Sequence, residues 1–145
     1  MDIEIIIFAI LVLTLNVLDS VTTHLAFKQY PDKELKSEAN PFMRKLMLKN
    51  RVLAEVLKQG FVLAVCVFLI IMNDIASIRF TVSLLGLVVL NNTFVIVSRA
   101  ITKRRVIAPL EKIRKTLQVP EKYSYVMVLV ILITLAFTIN GVVWG

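Results

Sequence analysis

The sequence predicts an all-α integral membrane protein, and three observations support this prediction. Hydrophobic residues make up 58% of the 145-residue chain, whereas a soluble domain has roughly 45–50%. The excess falls into four blocks, each close to the roughly 20 residues that a helix needs to cross a bilayer core. Lys and Arg gather instead in two segments between the blocks. Residues 1–145 are therefore expected to form a single domain of four transmembrane helices.

Four membrane spans follow from the apolar blocks. The first is predicted over residues 3–27 and the second over residues 52–72. The third is predicted over residues 78–100 and the fourth over residues 123–144. These spans use most of the chain, so no sizeable soluble domain is expected beside them.

The distribution of basic residues predicts the orientation in the membrane. Segments 28–51 and 101–122 each carry seven Lys or Arg residues, whereas the opposite face has only Arg79. Because cytoplasmic loops are enriched in Lys and Arg, both basic loops are expected in the cytoplasm and both termini outside. This pattern suits a multi-pass protein of a prokaryotic plasma membrane.

Each basic loop also contains a segment that is predicted to form a short interfacial helix. In the first, Asn40 suits an N-cap and Pro41 suits the first helical position. This helix is expected to run straight into the second span. In the second, apolar residues recur at helical spacing among Lys and Arg: Ile107, Leu110, Ile113 and Leu117. Basic interfacial helices contact anionic lipid headgroups, so the bilayer is the expected partner and the net charge of +7 does not indicate nucleic acid.

Polar residues inside the first span are the most informative feature of the sequence. Asn16, Asp19 and Thr23 share one helix face because they are three and four residues apart. Asp19 lies eight residues before Phe27, which places it about 12 Å from the cytoplasmic end at ~1.5 Å per residue. An ionisable group at mid-span costs about 2.5–3.5 kcal/mol, so Asp19 is expected to have a partner.

The second and third spans place polar residues at a similar depth. Near the start of the second span lie Glu55, Lys58 and Gln59, and Lys58 is about 10 Å deep by the same helical rise. The third span carries Asn91 and Asn92, eight or nine residues before its cytoplasmic end. Three helices are thus expected to bring polar groups together in the cytoplasmic half of the membrane.

Three interpretations of these polar residues stay open. In the structural one, Asp19 pairs with Lys58, Asn91 or Asn92 bonds between helices, and the set fixes helix packing. In the functional one, a cavity open to the cytoplasm holds an ion, a proton or a polar group beside Asp19. In the third, Lys58 extends to the interface and leaves Asp19 neutral or paired elsewhere.

Three other residues have simpler interpretations. Cys66 lies in the middle of an apolar run and is expected to be a packing residue, since one thiol forms no internal disulfide. His24 is expected to pack near the interface rather than to bind a metal. Arg99, at the end of the third span, is expected to be a topology anchor.

Two short motifs resemble those of an uncharacterised family of small prokaryotic four-helix membrane proteins. They are Asp19-x-x-x-Thr23 in the first span and Glu38-x-Asn40-Pro41 before the second. A glycine that the family often has a few residues before the Glu is absent here. The resemblance implies that Asp19, Thr23, Glu38 and Asn40 act as one set, and it implies no particular reaction.

The oxygens of this set suit a hard cation such as Na⁺, Mg²⁺ or Ca²⁺. Alternatively, Asn40 only begins a helix and Glu38 is solvated. The candidate ion-binding residues share carboxylate, hydroxyl or amide oxygens: Asp19, Thr23, Glu38, Asn40 and Asn16. Four further polar residues of the spans support them: Lys58, Glu55, Asn91 and Asn92.

Three functions are compatible with these features. The first is a small transport or channel-type protein that binds an ion or small polar solute near Asp19, as a homo-oligomer because four helices enclose little volume. The second is a membrane scaffold whose polar cluster is structural. The third is an enzyme acting on a lipid, with Asp19 and Glu38 as metal ligands and Lys58 on phosphate. The sequence contains none of the common catalytic motifs, which disfavours an enzyme.

Overall fold

The structure, a computed structural model, describes residues 3–29, 41–102, 109–120 and 123–144. Regular structure within these ranges is helical. The helices, in chain order, are α1 (Ile3–Gln29), α2 (Pro41–Lys49), α3 (Arg51–Ile71), α4 (Ile75–Thr102), α5 (Pro109–Thr116) and α6 (Ser124–Val143).

Four of these helices, α1, α3, α4 and α6, are long and apolar enough to cross a membrane. The predicted all-α class is therefore confirmed, and the predicted bounds of the four long helices agree within three residues. The two short helices also form where the sequence predicts them.

The long helices expose many of their apolar side chains. Phe61 on α3 is 70% exposed and Phe137 on α6 is 64% exposed, and many aliphatic residues resemble them. Apolar surface of this extent marks a region that lipid or another protein covers. The buried core is correspondingly small.

Helix α4 occupies the centre of the bundle and contacts each of the other three long helices. It runs parallel to α1, because Glu4 pairs with Arg79 near the start of both helices and Asp19 bonds to Asn92 further along both. The main core lies on α1 between these two points. Its buried residues come from α1, α3 and α4: Ile5, Phe8, Ala9, Val12, Cys66 and Ile78.

One expectation about α2 is wrong in detail. The helix does not run straight into α3, because Asn50 between them is extended, with φ −157° and ψ 103°. Its side-chain Oδ1 accepts a hydrogen bond from the backbone N–H of Leu53 at 3.0 Å and caps α3. Met47 on α2 and Ala54 on α3 are buried against each other across this break.

The N-terminal end of α1 and the C-terminal end of α6 meet around Arg79. The guanidinium pairs with Glu4 and lies 5.5 Å from the ring centre of Phe8 and 5.3 Å from that of Trp144. Contacts under about 6 Å between a cation and an aromatic face are attractive. Arg79 thus joins α1, α4 and the end of α6.

A tight turn connects α3 to α4. Asn73 adopts the left-handed conformation with φ 54°, which Asn tolerates better than most residues. The next residue, Asp74, caps α4: its carboxylate accepts from the hydroxyl of Ser77 at 2.6 Å and from the backbone N–H of Ser77 at 3.0 Å. These hydrogen bonds stabilise the charged form and hold the pKa of Asp74 below its ordinary value of 3.8.

We expect the Asp74 cap to make stability depend on acid. Because the folded pKa lies below 3.8, the cap contributes fully above that pH and is lost as the pH falls through the folded value. Asp74→Asn should remove this contribution. The difference in melting temperature between wild type and Asp74→Asn, measured from pH 6 downward, should therefore shrink only at the acid end. A difference that stays constant over the whole range would contradict the cap.

Candidate functional site

The buried face of α1 changes from apolar to polar at Asn16. Ile5, Phe8 and Val12 occupy this face on the N-terminal side, and Asn16 and Asp19 continue it at helical spacing. Asn16 is 0% exposed and Asp19 is 8% exposed, so both lie in the interior of the bundle. One helix face therefore supplies both the core and the start of a polar site.

The centre of the site is an ion pair between α1 and α3. The Lys58 ammonium donates to Asp19 Oδ2 at 2.5 Å, and both side chains are mostly buried. The Asn92 amide of α4 donates to the other carboxylate oxygen, Oδ1, at 2.8 Å. Three helices thus meet at the carboxylate of Asp19.

Ser20 links the ion pair to the rest of α3. Its hydroxyl donates to Glu55 Oε2 at 2.8 Å and accepts from Lys58 at 3.1 Å and from Gln59 Nε2 at 2.9 Å. A hydroxyl has one donor and two acceptor positions, so all three are used. Gln59 in turn accepts from Asn16 Nδ2 at 2.6 Å, which closes the α1–α3 contact.

Two longer hydrogen bonds extend the site along α4. Asn92 Nδ2 also approaches Thr23 Oγ1 at 3.4 Å, and Asn91 Nδ2 approaches Asn92 Oδ1 at the same distance. We call the complete set the polar cluster. It comprises nine residues from three helices: Asn16, Asp19, Ser20, Thr23, Glu55, Lys58, Gln59, Asn91 and Asn92.

Two acceptors of the polar cluster have no donor. They are the buried side-chain oxygens Oδ1 of Asn16 and Oδ1 of Asn91. Buried polar atoms are nearly always hydrogen-bonded, and an unsatisfied one costs about 1–3 kcal/mol. A third such oxygen, Oδ1 of Asn140, lies on α6 outside the cluster. The polar cluster therefore offers two oxygens to a water molecule, a donor group or a cation.

The formal charges of the polar cluster favour a cation. Asp19 and Glu55 contribute two carboxylates and Lys58 contributes one ammonium, which leaves one net negative charge. Carboxylate, amide and hydroxyl oxygens are the ligands of hard cations. Among the residues that the structure describes, no group of three or more His, Cys, Asp or Glu side chains is placed to hold a metal ion.

The sequence-based candidates divide into two groups. Asn16, Asp19, Thr23 and the supporting residues of α3 and α4 come together in the polar cluster. Glu38 and Asn40 lie outside the described residues, so their predicted role beside Asp19 stays a prediction. Sequence reasoning missed Ser20, although it lies four residues after Asn16 and three before Thr23 on the same helix.

Three single-residue expectations have different outcomes. Cys66 is buried in the main core, as predicted for a packing residue. His24 is exposed, and no ring or metal-type contact involves it among the described contacts. Arg99 is only 7% exposed and lies seven positions after Asn92, so its side chain is buried in the bundle; its role as a topology anchor stays a prediction.

Removing one partner of the ion pair should lower the free energy of unfolding more than removing both partners does. Lys58→Met leaves the Asp19 carboxylate buried without its ammonium, so we expect a loss of about 3 kcal/mol in the free energy of unfolding. Adding Asp19→Asn should recover at least half of that loss. A double-mutant cycle on the detergent-purified protein measures this coupling.

The Glu4–Arg79 pair provides the matched control. Glu4 is 48% exposed at the side chain, so Glu4→Gln should cost less than about 1 kcal/mol. Strictly additive effects of Asp19→Asn and Lys58→Met would show that the two groups do not interact.

The part of the chain that contains the polar cluster matches a known protein family. Residues 10–102 match a family described as a domain of unknown function, DUF5658. The matched segment contains all nine residues of the polar cluster and ends with α4. No curated protein and no solved structure matches the chain. Because the match covers more than half of its length, the chain belongs to the DUF5658 family.

Proposed function

We propose that this protein spans the plasma membrane four times and is a small transport protein. It binds a small monovalent cation, such as Na⁺, at the polar cluster. Both basic loops, 28–51 and 101–122, lie in the cytoplasm in this arrangement. The polar cluster then lies in the cytoplasmic half of the bilayer, because it is close to the ends of α1 and α4 that lead into these loops.

The observation that carries this proposal is the combination of charge and missing donors. The polar cluster holds one excess negative charge within apolar helices, and two of its buried amide oxygens have no donor. One monovalent cation would neutralise the charge and would take such an oxygen as a ligand, whereas a divalent cation would leave one positive charge. An ionisable group at this depth usually has a function.

Lys58 has a second position available when a cation binds to Asp19. Glu55 lies three residues earlier on the same helix, where side chains are neighbours. Both groups already bond to the hydroxyl of Ser20, at 3.1 Å for Lys58 and 2.8 Å for Glu55. Lys58 would therefore move toward Glu55 as the cation takes its place on Asp19, and no charge would be left unpaired.

Access to the site is expected from the cytoplasmic side. The core residues Ile5, Phe8 and Val12 fill the bundle between the polar cluster and the N-terminal end of α1. Arg79, Glu4 and Trp144 close that end. Because four helices enclose little volume, a conducting form would need several copies of the chain.

A second candidate function is supported by a different observation. Both carboxylate oxygens of Asp19 already have donors, Lys58 and Asn92, and these bonds join α1, α3 and α4. Such a set would also serve as a packing device in a membrane scaffold protein. The response to cations distinguishes the two functions.

The orientation predicts which sites are labelled from outside the cell. In a Cys66→Ala background, Met72→Cys lies between α3 and α4 and Lys49→Cys ends α2. A membrane-impermeant maleimide applied to intact cells should label position 72 and spare position 49, and both should react after lysis. Labelling of position 49 in intact cells would reverse the proposed orientation.

The cation site predicts an ion-specific increase in stability. A site held at 100 times its dissociation constant adds about 2.7 kcal/mol to the free energy of unfolding. Melting of the purified protein should therefore rise with Na⁺ more than with K⁺, Mg²⁺ or Ca²⁺ at constant ionic strength. The response should disappear in Asp19→Asn and weaken in Asn16→Ala, which leaves the ion pair in place.

Glu4→Gln serves as the control, since it removes a carboxylate from the same helix outside the polar cluster. It should respond to Na⁺ like the wild type. If no cation stabilises the wild type while Asp19→Asn still melts earlier, the polar cluster is a packing device and the scaffold function replaces this proposal.

A further inference from the structure

A groove on the surface of the bundle lies between α4, α5 and α6. Its volume is about 700 Å³, which lies within the usual range for small-molecule sites. Its walls are predominantly apolar and include Leu87 and Val97 of α4, Ile113 of α5, and Leu132 and Leu135 of α6. The groove is separate from the ion pair, although Asn91 of the polar cluster lies in its wall.

The groove has the length and direction of a lipid acyl chain. Its wall on α4 extends from Leu87 to Ser98, which is about 16 Å at ~1.5 Å per residue. That is roughly half of a bilayer core of about 30 Å. One end lies beside α5, and the other lies near the middle of α4. An acyl chain that enters from the surface at α5 would therefore remain within one leaflet.

The end of the groove at α5 is basic. This helix carries Lys112, Arg114 and Lys115 against one acidic residue, Glu111. Successive residues of an α-helix are turned by ~100°, so Arg114 borders the face that Leu110 and Ile113 turn toward the groove, and Lys112 lies beyond Ile113, further round the helix. Lys112 is exposed, and Arg114 donates to the backbone oxygen of Val119 at 3.0 Å.

We propose that this groove is a specific site for an anionic phospholipid. One acyl chain lies between α4 and α6, and the phosphate-containing headgroup lies at the basic end formed by α5. Charge complementarity identifies the occupant, because basic pockets between membrane helices bind anionic headgroups. A zwitterionic lipid would fill the apolar part and gain less from Lys112 and Arg114. This proposal does not depend on the cation site.

Melting of the detergent-purified full chain with added lipid tests the proposal. Phosphatidylglycerol should stabilise the protein more than phosphatidylcholine with the same acyl chains. Val97→Trp fills the groove and should abolish the difference. Val130→Trp should retain it, because Val130 is a similarly exposed valine on α6 that does not line the groove.

The headgroup contact has its own pair of variants. Lys112→Gln should lower the apparent affinity for phosphatidylglycerol about fivefold, as expected for one basic residue near an anionic surface. Lys49→Gln removes an exposed lysine from the other short helix, α2, and should leave the affinity unchanged. If Val97→Trp does not fold, Leu135→Trp fills the groove from its α6 wall.

Three results would overturn the proposal. Equal stabilisation by both lipids would mean that lipid only solvates the apolar surface. An unchanged response in Val97→Trp and Leu135→Trp would place the anionic lipid elsewhere. A wild-type dimer that these variants dissociate in the absence of lipid would show that a second copy of the chain occupies the groove.

Discussion

The ion pair between Asp19 and Lys58 is the interaction on which the rest of this structure depends. It joins α1 to α3, and Asp19 also accepts from Asn92 of α4, so one carboxylate connects three helices. Lipid tails are as apolar as the side chains of these helices, so apolar contact with lipid leaves the helices some freedom of register. A buried carboxylate that requires two particular donors does not allow this freedom. The register of α1 against α3 and α4 is therefore set at Asp19.

The same interaction bears on the proposed cation site, because the polar cluster around it is only partly satisfied. A fully satisfied network would be a rigid packing device, and the carboxylate of Asp19 taken alone meets that description. Asn16 and Asn91, however, keep buried oxygens without donors, and the hydroxyl of Ser20 joins Lys58 to a second carboxylate on Glu55. The ammonium of Lys58 thus has two nearby acceptors of similar chemistry. In the proposed cation site, the ammonium would move from Asp19 toward Glu55 when the cation binds.

The sequence predicted much of the fold and of the polar cluster because both follow from helical periodicity. Apolar blocks gave the four long helices, and the depth of Asp19, Lys58 and Asn92 from their span ends predicted that they meet. Ser20 was missed because a serine is common in membrane spans. Only its three hydrogen-bond partners on α3 show that it connects α1 to α3. The burial of Arg99 and the groove beside α5 depend on how α4, α5 and α6 pack, which no single helix determines. The break at Asn50 depends on one residue's backbone conformation.

A solid-state NMR distance between Lys58 and Asp19 in lipid bilayers tests the central claim most directly. With ¹⁵N in the lysine ammonium and ¹³C in the aspartate carboxyl, the account predicts a strong through-space correlation between Lys58 Nζ and Asp19 Cγ, as expected for atoms within about 4 Å. The correlation should vanish in Lys58→Met, which identifies it. A Lys58 ammonium that correlates with water and shows no contact with Asp19 would contradict the account. The register of α1 against α3 would then not depend on this ion pair.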